Sequence, residues 1–304
     1  MKVLVAGGTG FVGRALCREL GDRGHAVTAA SRSADDADLP AGIEGVTLDV
    51  TADDPTSLVA GHDAVVNLVA LASHVQPRGR EHDAVHRAGT QALVRACEAT
   101  GVGRFVQLSA LGVDSDVQTD YFEAKRAAEA IVRGSDLESV IYRPSVVFGD
   151  GAGFLEFLRR FSAARIVPLP GGGRMRIQPL WVEDLAPMLA AGVTDDDRAG
   201  DCYRLGGPEV LTLAETVRLV RPEARIVPVP MPLARVGATV AEVLPGVPIG
   251  RDQYRVQRLD NTVADNDVTA FGIEEDALST LSAYLDRDGR SAATGRARPA
   301  EEGA

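Results

Sequence analysis

The chain has 304 residues, 45% of them apolar, with a formal net charge of −11. That length suits one large α/β domain or a nucleotide-binding domain with a smaller second lobe. No apolar run is long enough to span a bilayer, and the acidic balance argues against nucleic acid or an anionic membrane as partner.

Residues 3–6 form a short apolar, β-branched run that reads as a buried strand of a parallel sheet. Glycines follow at 7, 8, 10 and 13, and a helical pattern of Phe11, Val12, Ala15, Leu16 and Leu20 begins at once. In this setting Gly7 takes a tight turn, Gly10 lets the backbone approach a diphosphate, and Gly13 lets the helix lie close on the strand. The first-turn N–H groups, those of Phe11 and Val12 among them, face the phosphates. Residues 25–30 are the second strand, followed by Ser31-Arg32-Ser33. An acid at this strand end would take the ribose 2′-hydroxyl of NAD. Here a hydroxyl and a guanidinium stand instead, which suits a 2′-phosphate, so NADP(H) is the preferred cofactor and NAD(H) the alternative.

Residues 46–50 are a third strand, with Asp49 and Val50 at its end and Asp49 within reach of an adenine edge. Asp53-Asp54-Pro55 reads as a helix start. Residues 64–70 are a fourth strand, ending in Leu68, Val69 and Ala70, where a nicotinamide ribose has room to pack. A long amphipathic helix spans 83–101, and residues 104–109 and 140–142 supply the fifth and sixth strands. Strands alternating with helices predict an α/β fold, a doubly wound parallel Rossmann sheet over residues 1–150 with a return segment near 177–195. Residues 151–285 then make a smaller α/β substrate lobe. The Gly-, Ala-, Arg- and Glu-rich tail, 286–304, lacks apolar periodicity and reads as disordered.

The helix after the fifth strand carries Tyr121 and Lys125, four apart and so on one face. A phenol, with a pKa of about 10, is a poor acid near neutrality, and an adjacent ammonium stabilises its phenolate. The same ammonium can hold a cofactor ribose. Of 32 basic residues only Lys2 and Lys125 are lysine, so this spacing is not a chance of composition. The blander reading is a surface pair on a helix.

With these marks the chain resembles the extended, atypical short-chain dehydrogenase/reductase superfamily, which includes NAD(P)-dependent epimerases and dehydratases, from Val3 to about Leu285. The resemblance rests on Gly7-x-x-Gly10-x-x-Gly13, on Tyr121-x-x-x-Lys125, on the run from Tyr142 to Gly149, and on Leu180-Trp181-Val182-Glu183-Asp184. Within it the chain is most similar to the group containing the NDUFA9-type accessory subunit of respiratory complex I. Residues 109–113 and Leu259-Asp260-Asn261-Thr262-Val263 carry that likeness. The resemblance implies Tyr121 as acid/base, Lys125 as its partner at the ribose, and Pro144 and Val147 beside the nicotinamide. It also implies a Ser or Thr two residues beyond Ser109, where this chain has Leu111. Ser109 itself reads either as a cofactor contact or as a local cap ending its strand.

Beyond residue 150 the signals are weaker. A helix is expected over 154–161, and a hairpin turn over 168–174, where three glycines beside Arg174 and Arg176 also suggest a substrate phosphate. Asp184 is expected to cap a helix to Ala191. The apolar segment 231–249, interrupted by Arg235, Glu242 and prolines, reads as packing or as a lid over an apolar substrate. His82-Asp83-Ala84-Val85-His86 imitates the H-E-x-x-H zinc motif, but no third ligand follows at a recognisable spacing, so no metal is expected. Cys17, Cys97 and Cys202 lie far apart and read as free thiols. The chain enters a strand directly after Met1-Lys2, and the expected location is cytoplasmic. The leading expectation is an NADP(H)-dependent oxidoreductase or epimerase-like enzyme acting on a small molecule, apolar or sugar-nucleotide-like. The alternative is a non-catalytic NADP(H)-binding protein with a structural, assembly or redox-sensing role, in association with a membrane complex.

Overall fold

Val3 and Val5 belong to one apolar layer and Leu4 and Ala6 to another, all four fully buried. A strand covered by helices on both faces requires this pattern. The computed structural model describes residues 1–34, 37, 39–71, 81–241 and 251–287. Its first half runs β1 (Lys2–Ala6), α1 (Phe11–Asp22), β2 (Ala26–Ser31), β3 (Glu44–Thr47), α2 (Thr56–Val59) and β4 (Ala64–Asn67). A π-helical turn, Asp83–Ala88, leads into α3 (Gly89–Thr100), then β5 (Arg104–Leu108), α4 (Asp120–Arg133) and β6 (Glu138–Pro144). The second half supplies β7 (Val147–Phe148), α5 (Gly153–Phe161), β8 (Ile166–Pro170), β9 (Arg176–Ile177), β10 (Leu180–Trp181) and α6 (Val182–Thr194). It continues with β11 (Cys202–Leu205), β12 (Leu211–Thr212), α7 (Leu213–Val220), β13 (Arg225–Val229), α8 (Met231–Ala241) and α9 (Arg251–Val256).

The main sheet has seven strands in the order β11-β6-β5-β4-β1-β2-β3, every pair parallel. Leu16 and Leu20 of α1 and Leu185, Met188 and Leu189 of α6 cover one face. Leu93, Val94 and Cys97 of α3 and Val132 of α4 cover the other. This is the doubly wound α/β fold expected from the alternation. The strand order reverses between β1 and β4, and a crevice opens at their carboxyl ends, where such sheets bind ligands. Cys17 and Cys97 are buried free thiols, each pushed up to about 12 by burial.

Several expected boundaries move. β3 ends at Thr47 and β4 at Asn67, so Asp49 and Val50, and Leu68, Val69 and Ala70, lie on the loops beyond them rather than in strands. β6 continues through Arg143 and Pro144, because β11 pairs alongside it from Cys202↔Ile141 to Leu205↔Pro144. The chain thus returns to the main sheet twice, with α6 on its face within residues 177–195 and with β11 at its edge beyond them, the second of which periodicity in a four-residue strand does not disclose. The expected hairpin over 168–174 is absent: β8 pairs parallel with β13, and Gly171, Gly172 and Gly173 turn the chain with φ of +59°, +76° and +69°. Asp184 does not cap α6, whose N-cap is Trp181; from the first turn its carboxylate instead accepts the Ser279 N–H at 2.8 Å. Residues 242–250, in the segment considered as a lid, and 288–304 of the tail lie outside the described residues. Among the described residues no helix is long and apolar enough to cross a membrane.

Candidate functional site

Local backbone chemistry builds the glycine turn. Gly7 sits at φ +86°, left-handed backbone that favours glycine. A Cβ on Gly13 would lie 2.2 Å from the Gly7 carbonyl oxygen, so α1 approaches the turn as closely as it does only because that side chain is missing. At Gly10 an added Cβ would meet only the Gly7 oxygen, at 3.1 Å, and otherwise occupy the mouth of the crevice. Gly10 is also the N-cap of α1 and makes no side-chain cap. The first-turn N–H groups of Phe11 and Val12 are thus left without a capping acceptor, as an anion site requires.

Beside this turn lies a cavity of about 490 Å³ lined by Gly7, Gly10, Ser31, Arg32, Asp49, Val50, Leu68, Val69 and Ala70. Nine of the residues read as cofactor contacts from sequence thus share one wall. Thr9, which the sequence pattern did not single out, lines it too, and its hydroxyl donates to Ser31 Oγ at 2.8 Å. Asp49 accepts the Thr51 hydroxyl at 2.6 Å and the Thr51 N–H at 2.9 Å. Those bonds, with Arg32 adding its charge, hold its carboxyl below the usual range. Of the other expected contacts, Phe11 lines a separate cavity on the far side of Thr9. Val12 and Val147 pack together against the core, and Gly13 lies beneath the turn.

Tyr121 and Lys125 come together on α4, the Lys125 ammonium 6.0 Å from the centre of the Tyr121 ring. Lys125 is only 3% exposed, and its Nζ donates to the Leu108 carbonyl at 2.9 Å. An ammonium has three donors, one of which is committed to that carbonyl. Burial dominates: it pushes Tyr121 up to about 12 and Lys125 down to about 8, with the nearby Glu129 carboxylate opposing the second shift. Tyr121 is therefore a phenol at neutral pH, with a proton to give.

The zinc-like pair is a clamp for that phenol. His82 and His86 stack on each other at 5.6 Å and meet the Tyr121 ring edge-on at 5.6 Å and 5.4 Å. Burial first, then the charge of Lys125 and the neighbouring His82, push His86 down to about 2, so it stays neutral. No group of three His, Cys, Asp or Glu suited to a metal occurs among the described residues. The helical spacing of the two imidazoles was legible in sequence; their partner was not.

Behind Lys125, Glu129 is 4% exposed and takes both Arg143 Nε at 2.9 Å and Nη2 at 2.6 Å. Arg143 Nη1 also reaches Asp114 at 2.9 Å. Burial raises the Glu129 carboxyl, but the Arg143 hydrogen bonds and the Arg143 charge outweigh it and hold it below its usual range. Ser109 is buried and lines neither cavity. Arg143→Met should destabilise the fold by about 3–5 kcal/mol by stripping the buried Glu129 of both its charge-assisted hydrogen bonds and leaving it only the more distant Arg133, at 3.6 Å, which urea denaturation would measure. The depressed Glu129 pKa stabilises the fold fully above the ordinary Glu value of about 4.3 and loses that contribution as pH falls through the folded value. Melting temperatures of wild type and Arg143→Met should therefore converge in acid.

A second cavity, of about 260 Å³, opens beside Tyr121, with Leu111 and Pro144 in its wall, while Tyr121 and Lys125 do not line the first. The Ser145 hydroxyl donates to Asn261 Oδ1 at 2.6 Å, and Asn261 Nδ2 donates to the Leu111 carbonyl at 3.2 Å. Ser145 and Asn261 both line the cavity. Each sits in a run quoted above for its family likeness, yet nothing in sequence joins positions 116 residues apart.

A family model described as NAD(P)H-binding matches residues 7–159. The chain is 29% identical over 288 residues to the mitochondrial NADH dehydrogenase [ubiquinone] 1 alpha subcomplex subunit 9 of Arabidopsis thaliana, covering 86% of this chain and 71% of that one. It is 31% identical over 253 residues to the 2-alkyl-3-oxoalkanoate reductase of Stenotrophomonas maltophilia, covering 71% and 74%. Among solved structures, MoeE5 in complex with UDP-glucose and NAD superposes with a TM-score of 0.73 at 20% identity, covering 98% and 100% of the two chains. A nucleoside-diphosphate-sugar epimerase from Staphylococcus aureus gives 0.74 at 16%, covering 94% and 99%. At those identities the likeness is one of fold.

Proposed function

Because the chain belongs to the NAD(P)H-binding family, with the fold of the extended short-chain dehydrogenases/reductases, we propose that it is an NADP(H)-dependent oxidoreductase in which Tyr121 transfers the proton. The observation that carries this reading is the meeting of Tyr121 and Lys125 on α4, the phenol on the wall of the second cavity and the buried ammonium held by the Leu108 carbonyl. The glycine turn, the uncapped α1 N-terminus and the crevice at the strand ends fit a dinucleotide. Bound there, the cofactor would supply or accept hydride. Around it, Gly10 and the first turn of α1 would hold the diphosphate, and Lys125 would donate to the ribose. Tyr121 would protonate a substrate oxygen and recover its proton from solvent. The likeness to a reductase supports this direction of chemistry.

Cofactor choice rests on Ser31 and Arg32, which line the crevice where no acid stands at the end of β2. Arg32→Ala should weaken NADPH about 10- to 100-fold, the loss of a charge-assisted hydrogen bond, and leave NADH nearly unchanged. Titration calorimetry with both cofactors tests it; equal losses would remove the case for NADP(H).

A second reading is favoured by Leu111, which brings a methylated wall to the side of Tyr121 where the family pattern has a hydroxyl. On this reading the protein binds NADP(H) without turnover and serves a structural, assembly or redox-sensing role. The likeness to an NADH dehydrogenase subunit supports association with a membrane complex. The net charge and the buried free thiols support a cytoplasmic location. Tyrosine-dependent turnover of any carbonyl compound separates the two readings in favour of the enzyme.

A further inference from the structure

The cavity beyond Tyr121 is walled by the second lobe's own apolar layer. Phe154, Phe157 and Phe161 of α5 face it from one side, and Leu213 and Val217 of α7 from another. Its only polar side chains among the described residues are Tyr121, Ser145, Gln257 and Asn261, and none is charged. We propose that the substrate of this site is a neutral ketone or aldehyde carrying an aliphatic chain, the chain lying among these phenylalanines and the carbonyl at Tyr121. This rests on the oxidoreductase reading above.

Three observations favour an aliphatic chain over a nucleoside-diphosphate sugar. A diphosphate needs cations or free helix N–H groups. Arg176, next to the lining residue Ile177, gives its guanidinium to Asp260 at 2.6 Å and 2.8 Å, and its N–H to the same carboxylate at 2.8 Å. The N-terminus of α7 is closed by a capping box, in which Thr212 and Glu215 satisfy each other's N–H groups. The lining points the same way. Phe154, Phe157, Phe161, Leu213 and Val217 offer an alkyl chain surfaces to bury against and a diphosphate no partner.

The chemistry balances with the reduced cofactor as the hydride source. Hydride adds to the carbonyl carbon, the C=O π pair moves to oxygen, and oxygen takes the Tyr121 proton. A secondary or primary alcohol and the oxidised cofactor result, and one solvent proton restores Tyr121.

The test uses the full chain with NADPH and a series of linear ketones from butanone to dodecanone, beside a UDP-linked 4-ketohexose. Steady-state kcat/KM and calorimetric affinity in the presence of NADP+ are both measured. The proposal expects each to rise about fourfold per added methylene and then level off once the cavity is full. Val217→Phe should bring that levelling to shorter chains with NADPH affinity unchanged. Leu213→Phe, on a half-buried wall position, makes the same test should Val217→Phe fail to fold. A flat response to chain length, or preference for the UDP-ketohexose, overturns the proposed substrate class and leaves the oxidoreductase reading intact. Graded ketone binding without oxidation of NADPH keeps the ligand class and overturns the oxidoreductase reading. Absence of binding and turnover across the series overturns the proposal as well, leaving the cavity a packing void.

Discussion

Tyr121→Phe should lower kcat for a turned-over carbonyl substrate by about 10²–10⁴, the usual contribution of a positioned acid or base, while NADPH affinity barely moves. The ring would keep its edge-on contacts with His82 and His86, so the fold and the cavity walls should survive the loss of one oxygen. Burial pushes the Tyr121 phenol up to about 12, so reduction should not fail for want of a protonated phenol anywhere near neutrality. Lys125→Met should differ, impairing NADPH affinity and kcat together, because the ammonium serves both the ribose and the phenol. Leu111→Ser probes the same place from the opposite wall; under the binding reading it should confer activity that wild type lacks. Steady-state rates with calorimetry on the same four proteins decide the matter. A Tyr121→Phe protein turning over at the wild-type rate would remove Tyr121 from the mechanism.

Gly10→Val should abolish dinucleotide binding while leaving the protein folded. Gly10 has φ −73°, open to any residue, and an added Cβ would meet only the Gly7 oxygen, at 3.1 Å. The rest of a valine side chain would stand in the crevice, in the path proposed for the diphosphate. Gly13→Val is the contrasting control, since its Cβ would lie 2.2 Å from a backbone oxygen and the turn itself would have to yield. Fluorescence titration with NADPH, beside thermal melts of both variants, reads the two effects separately. Tight NADPH binding by a folded Gly10→Val protein would place the cofactor elsewhere.

The sequence by itself determined the layer structure and the glycine turn, because both are local. Val3 to Ala6 can be apolar at every position only in a strand covered on both faces, and Gly7, Gly10 and Gly13 have meaning within one turn and one helix. The Tyr121–Lys125 spacing is likewise a property of a single helix. Tertiary structure decided what those residues meet. β11 joins the main sheet from beyond residue 200 because its partner is β6, a choice of neighbour that no four-residue period records. The burial of Lys125, and the environment that pushes the Tyr121 phenol up, depend on what packs around α4. The histidine clamp depends on the π-helical turn reaching Tyr121, and the apolar cavity on α5, α7 and Asn261 converging from distant parts of the chain. Periodicity reports which face of an element is buried; only long-range packing selects what it is buried against, and the chemistry of this site lies in those contacts.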